Sequence, residues 1–205
     1  RVIQLGENPE RVFNVGGLGV DLINKIKLLS KKELIEKTKI KFLEKNLLVT
    51  FHPTTLDKQN SKKSFRALLD ALDQLNDIGI IFTMPNADPD SKIIFKMINE
   101  FVSINNHRSV SFKSMGHLNY LSTMQFVDGV VGNSSSGLIE APSLNIGTVN
   151  IGDRQKGRVK AKSIIDCDGN RKSIRKAIET LYSDRHKKNI SKNKNPYEKG
   201  ESSER

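Results

Sequence analysis

The sequence predicts an α/β fold: a Rossmann-like, doubly wound parallel sheet with helices on both faces. Three observations lead there. Short apolar, β-branched runs at residues 46–51, 78–83 and 147–151 alternate with longer amphipathic stretches. The runs are apolar throughout rather than at every second residue, as strands buried on both faces are. Each run also stops at Gly, Pro, Asn, Ser or His, where a chain leaving a sheet turns. Right-handed crossovers between parallel strands then put helices on both sides.

Taken in order, residues 1–27, with Val12-Phe13-Asn14-Val15-Gly16-Gly17, read as one further strand and a glycine turn. Residues 28–45 carry a Lys/Glu-rich helical pattern on the surface. The strand at 46–51 ends at His52-Pro53, and a helix follows at 61–76 with Phe65, Leu68, Leu69, Leu72 and Leu75 on one face. The strand at 78–83 stops at Pro85-Asn86, and Ile93, Ile94, Met97, Ile98, Phe101 and Val102 form the stripe of a helix over 91–104. Then come a strand at 109–112, a helix at 118–126, a strand at 128–132 and a helix from Ser135 onward. Strands at 147–151 and 164–165 precede a helix at 170–182 capped by Asn170 or Gly169. From Asn189 the chain turns Lys, Asn, Ser and Glu rich and reads as a loosely held tail to residue 205.

With 205 residues, 36% of them hydrophobic and 28% charged, the chain suits one domain with a packed core. No apolar run approaches the ~18 residues of a membrane helix. The start, Arg1-Val2-Ile3-Gln4, has neither a signal-peptide pattern nor an initiator Met, so the sequence reads as a fragment of a longer chain. The single cysteine, Cys167, can form no internal disulfide or zinc cage, which points to a reducing, cytoplasmic setting. No metal site is expected, because the three histidines other than His52 lack partners in sequence. The net charge of +11 invites an anionic partner. Residues 156–205 hold 15 Lys/Arg against 7 Asp/Glu, and few aromatics lie among them. Single-strand binders interleave basic residues with stacking rings, so this surplus reads as a solvated face and tail.

Ligands of open α/β sheets sit beyond the carboxyl ends of the strands, and four loops there carry polar residues. Gly132-Asn133-Ser134-Ser135-Ser136-Gly137-Leu138-Ile139-Glu140 follows a strand and opens a helix. Unpaired amides, flanking glycines and serine hydroxyls in such a loop fit a diphosphate. Plain N-capping is the competing reading, though one cap needs one side chain. The loop is neither a Walker A motif nor G-x-G-x-x-G. In Gly152-Asp153-Arg154-Gln155-Lys156-Gly157-Arg158 the arginines can clamp phosphate or orient a neighbouring carboxylate, or simply form a basic turn. His52 can donate to a phosphate oxygen or move a proton, or be structural. Lys113-Ser114-Met115-Gly116-His117 can hold a base through its backbone.

These stretches resemble the C-terminal domain of the UDP-N-acetylglucosamine 2-epimerases, hydrolysing branch. The resemblance runs through residues 11–20, 48–53, 131–137 with Glu140, 152–158 and 195–200, in order along nearly the whole chain. It implies one half of a GT-B two-domain enzyme, residues 1–205 being the C-terminal UDP-binding domain and the N-terminal domain lying outside this sequence. It assigns Ser134 and Ser135 to the UDP phosphates, Gly137 to UDP binding, Glu140 to the ribose hydroxyls, Met115 to uracil through its backbone, and Arg154 to the nucleotide. His52 is the catalytic candidate, close to the leaving diphosphate. The implied reaction converts UDP-N-acetylglucosamine to N-acetylmannosamine and UDP by elimination and hydration, with no cofactor. Its proton-transfer carboxylates belong to the other domain. The implied partners are the UDP-sugar, that domain and a second copy of the chain, with neither nucleic acid nor membrane. The rivals are a UDP-diacetamido-trideoxy sugar as substrate, the non-hydrolysing branch, and a GT-B glycosyltransferase. Phe51-His52-Pro53-Thr54 favours the hydrolysing branch. A basic nucleic-acid-binding module is the reading from a different class.

Overall fold

The computed structural model describes residues 2–53, 58–86, 91–192 and 194–199. Two 3-10 turns, Ile3–Leu5 and Pro9–Arg11, precede α1 (Leu18–Lys25) and α2 (Lys31–Thr38). Then follow β1 (Lys45–Thr50), α3 (Lys58–Asp73), β2 (Ile78–Thr83), α4 (Ser91–Ile104), β3 (Ser109–Phe112) and α5 (Gly116–Met124). The second half comprises β4 (Gly129–Gly132), the short α6 (Ser136–Ile139), a 3-10 turn Ala141–Leu144, β5 (Gly147–Ile151), β6 (Ile164–Cys167), α7 (Arg171–Leu181) and α8 (Asp184–Ser191).

All six strands are parallel, in the order β3-β2-β1-β4-β5-β6. The order reverses between β1 and β4, so the crevice for a ligand opens where those two strands end. Successive side chains of a strand face opposite sides, and the core divides accordingly. Leu47, Val49, Ile80, Phe82 and Val131 pack with Phe65, Leu68 and Leu72 of α3, Ile94 and Ile98 of α4 and Ile174 and Ile178 of α7. Leu48, Ile81 and Val130 face the other way, onto Ile40, Met115, Met124 and Ala141. The central strands thus carry apolar residues at successive positions because each of their faces meets a helical layer.

Four sequence expectations change. Residues 12–17 form no strand: Phe13 is 74% exposed, and the Gly17 amide donates to the Tyr197 carbonyl at 2.9 Å rather than to a sheet neighbour. In the Lys/Glu-rich stretch only Lys31–Thr38 is helical, started by a reciprocal Ser30–Glu33 capping box and stopped by Lys39 in the left-handed region. The helix expected from Ser135 onward is a single turn, because Pro142 cannot continue an α-helical ladder and a 3-10 turn takes over. The tail is better held than its composition implies. Helix α8 runs on to Ser191, and Asn195 is 7% exposed, its amide donating to the Ile139 carbonyl and Ser143 Oγ. The tail residues beyond Lys199 lie outside the described residues, as does Thr54.

Candidate functional site

The site is built around one residue between two strands. Gly132 ends β4 at φ +140°, where an added Cβ would lie 1.9 Å from the Thr50 carbonyl oxygen of β1. Only glycine lets the two strand ends come this close. The chain can then turn so that Asn133, 2% exposed, reaches across. Its Oδ1 accepts from the His52 amide at 2.7 Å, and its Nδ2 donates to the His52 carbonyl at 2.8 Å. This two-bond clamp fixes the loop after β1 against the loop after β4, at the switch point of the sheet. The third loop joins through the Asn133 carbonyl, which accepts from the Arg154 guanidinium at 3.0 Å and from Gln155 Nε2 at 2.8 Å.

The three serines divide the work. Ser134 Oγ accepts from the Ser136 amide at 3.4 Å. Ser136 Oγ pairs with the Tyr120 hydroxyl of α5 and lies in hydrogen-bonding reach of Glu140. Among the described residues, the amides of Ser134, Ser135 and Gly137 have no acceptor. Gly137 has a packing role that the sequence did not reveal: an added Cβ would meet Thr148 Cγ2 of β5 at 2.6 Å. Its smallness therefore serves the close seating of α6 on the sheet.

Glu140 closes α6 beside Ser136, with His117 nearby and Gly19 of α1 within reach of its carboxylate. Burial raises its pKa above the ordinary 4.5, while the charge of His117 and the hydrogen bond from Ser136 pull it back down. Burial likewise raises the Tyr120 phenol, which stays a neutral donor and acceptor bridging α5, Ser136 and Thr50. Met115 buries its side chain in the core at 7% exposure, so only its backbone is available, and its carbonyl already accepts from Asn119 Nδ2 at 2.9 Å. Cys167 is no nucleophile: burial, with Asp168 and Asp166 alongside, pushes its thiol up to about 12. Among the described residues no group of three or more His, Cys, Asp or Glu side chains can hold a metal ion. No helix there is long and apolar enough to cross a membrane.

His52, Ser134, Ser135 and Arg154 thus converge on Asn133. Glu140 is joined to them through Ser136, and Ser136 is joined to α5, the helix that Met115 caps, through Tyr120. The residues that sequence reading passed over, Asn133 and Tyr120 above all, work by pairing across long separations that no local pattern signals.

A family model described as UDP-N-acetylglucosamine 2-epimerase matches residues 1–205. The chain belongs to this family. Among curated relatives of this epimerase-family chain is the GDP/UDP-N,N'-diacetylbacillosamine 2-epimerase (hydrolyzing) of Campylobacter jejuni. It is 38% identical over 189 residues, 92% of this chain and 49% of that protein. The polysialic acid biosynthesis protein P7 of Escherichia coli is 39% identical over 199 residues, 96% of this chain and 50% of that protein. The chain therefore spans about half the length of these relatives. A co-structure of S. aureus MnaA with UDP superimposes with a TM-score of 0.73 at 19% identity, over 99% of this chain and 53% of the other. That likeness is one of fold: a parallel six-stranded sheet of the GT-B epimerase type.

Proposed function

We propose that this chain is the UDP-binding half of a hydrolysing UDP-sugar 2-epimerase, acting with an N-terminal domain that carries the proton-transfer carboxylates. The observation that carries the reading is the convergence of three loops on Asn133 at the β1/β4 switch point, with the amides of Ser134, Ser135 and Gly137 left without protein acceptors. An anionic diphosphate satisfies such amides without further reorganisation. On this reading Ser134 and Ser135 hold the phosphates with Arg154, the Met115 backbone meets the base, and Glu140 accepts from the ribose diol. His52 stands beside the departing diphosphate. Gly137, assigned to UDP binding, contributes its amide to the phosphates and its lack of a side chain to packing.

The chemistry asks this half for one thing above all. Loss of the sugar's C2 proton and departure of UDP leave an unsaturated acetamido sugar and a free diphosphate. Donors already aimed at that diphosphate lower the barrier to expelling it. Water then adds at C1 and a proton at C2 from the opposite face, and the epimerised free sugar is released.

We take UDP-N-acetylglucosamine as substrate and N-acetylmannosamine as product, a choice supported by the relative named for polysialic acid biosynthesis. The Campylobacter relative favours a second reading, a UDP-diacetamido-trideoxy sugar. Full-length protein incubated with each sugar and followed by NMR separates them. The expected result is UDP and free N-acetylmannosamine from the first sugar with no acceptor added. Free 2-epimerised diacetamido sugar alone moves the assignment to the second, and release that requires an acceptor points to a glycosyltransferase. Titration with UDP and with a DNA oligomer at two salt concentrations tests the remaining rival. A polyanion binder prefers the DNA and loses affinity steeply with salt.

A further inference from the structure

We infer that Gln155 is a positioning residue for the phosphate loop: by holding the Asn133 carbonyl, it aims the Ser134 amide at the ligand's diphosphate. The inference rests on the UDP-binding reading and adds a residue that touches no ligand.

The argument is one of peptide geometry. The Asn133 carbonyl and the Ser134 N–H belong to the same peptide unit, and the described chain contains no cis peptide bonds. In a trans unit the two groups point in opposite directions. Whatever grips the carbonyl therefore sets the direction of the amide. Two groups grip it, Arg154 at 3.0 Å and Gln155 Nε2 at 2.8 Å. Arg154 is exposed and Gln155 is 1% exposed, so Gln155 is the enclosed member of the pair and makes the shorter bond. The other bonds nearby hold Asn133 rather than this peptide unit: its own amide donates to the Thr50 carbonyl at 3.2 Å, and its side chain clamps the His52 backbone. On the far side the Ser134 amide has no protein acceptor among the described residues. Without a donor on the carbonyl, the unit can turn about Asn133 ψ and Ser134 φ.

The other end of the side chain supports a role beyond packing. Gln155 Oε1 is buried with no hydrogen-bond partner among the described residues. A buried acceptor left unpaired is unfavourable, and a leucine or methionine filling the same space would avoid it. What the glutamine supplies in return is the bond from its nitrogen to Asn133. The amide orientation is set by the same contact, since exchanging O and N would bring two acceptors together.

The test uses the full-length protein and Gln155→Met, which keeps the length of the side chain and removes the donor. Binding of UDP, uridine and inorganic pyrophosphate is measured for both proteins. The expected result is a loss of UDP and pyrophosphate affinity of about tenfold with uridine affinity unchanged. Unchanged UDP affinity in a folded Gln155→Met overturns the inference while the UDP-binding reading stands. An equal loss for uridine overturns it too, because the effect is then not at the phosphates. Wild-type protein that binds pyrophosphate but not UDP, and loses it in Gln155→Met, sinks the UDP reading and keeps the inference. Wild type that binds neither overturns both. Should Gln155→Met fail to melt cooperatively, the Ser134 amide resonance of the wild-type protein decides. A downfield shift on adding pyrophosphate supports the inference, and a resonance that does not move overturns it.

Discussion

Glu140 has two demands on it that conflict. As the proposed acceptor for a ribose diol it must be ionised, yet burial raises its pKa above the ordinary 4.5. The sign of the linkage follows. A carboxyl whose folded pKa is raised binds its proton more readily in the native state, so its contribution to stability falls as pH climbs from 4.5 through the folded pKa. At neutral pH the ionised form is a burden that Glu140→Gln removes. We expect this variant to melt at a slightly higher temperature while losing UDP affinity by about tenfold, the worth of a charge-assisted hydrogen bond. Wild-type affinity should also begin to fall, on acidification, above the range of an ordinary glutamate, and the variant should lack that component. Calorimetric titration from pH 5 to 8 reads both effects. A variant that binds UDP as tightly as wild type removes Glu140 from the site.

At the scale of elements, the strand ends carry the candidate site. β1 and β4 pair Thr50 with Gly132 in register, and the loops that leave them meet again within two residues through Asn133 and His52. Gly132→Ala inserts a methyl group against the Thr50 carbonyl at a backbone angle that disfavours any side chain. We expect a loss of about 3 kcal/mol, seen as a fall in Tm of about 6–12 °C for a chain of this size, and loss of UDP binding. A variant with wild-type Tm would mean that the β1–β4 approach is looser than described. Here too the sequence was partly legible. The strands at 78–83, 109–112 and 147–151 and the helix at 91–104 agree with the structure to the residue, because their apolar runs and stripes are set by burial alone. α6 is one turn rather than a longer helix because Pro142, lacking an amide, cannot continue it. The supposed strand at 12–17 failed for a different reason. The Gly17 amide goes to the Tyr197 carbonyl, some 180 positions away, and the Val12 amide to the Pro9 carbonyl, not to a sheet neighbour.

For the molecule as a whole, the proposed reading makes this chain half of a two-domain enzyme, and such a half should bind nucleotide without turning it over. We expect the isolated 205-residue chain to bind UDP weakly and to release no sugar from UDP-N-acetylglucosamine, because on the proposed reading the groups that move the C2 proton are elsewhere. Detectable 2-epimerase turnover by the purified chain overturns that division of labour. The net charge of +11 supports attraction of an anionic ligand, and the UDP-versus-DNA titration measures how far that attraction is selective.

What the sequence determined by itself is the layered α/β sheet, the positions of its loops and the family to which the chain belongs. Apolar periodicity is a local consequence of burial, and the motif stretches lie in order along one chain. Tertiary structure alone decided how those loops meet: Asn133 spanning to His52, Arg154 and Gln155 closing on its carbonyl, and Tyr120 reaching Ser136. These contacts join residues from 16 to 81 positions apart. The Asn133–His52 clamp exists because β4 lies beside β1, where the strand order reverses, and the bonds from Arg154 and Gln155 because β5 lies beside β4; no local pattern of residues encodes those neighbours.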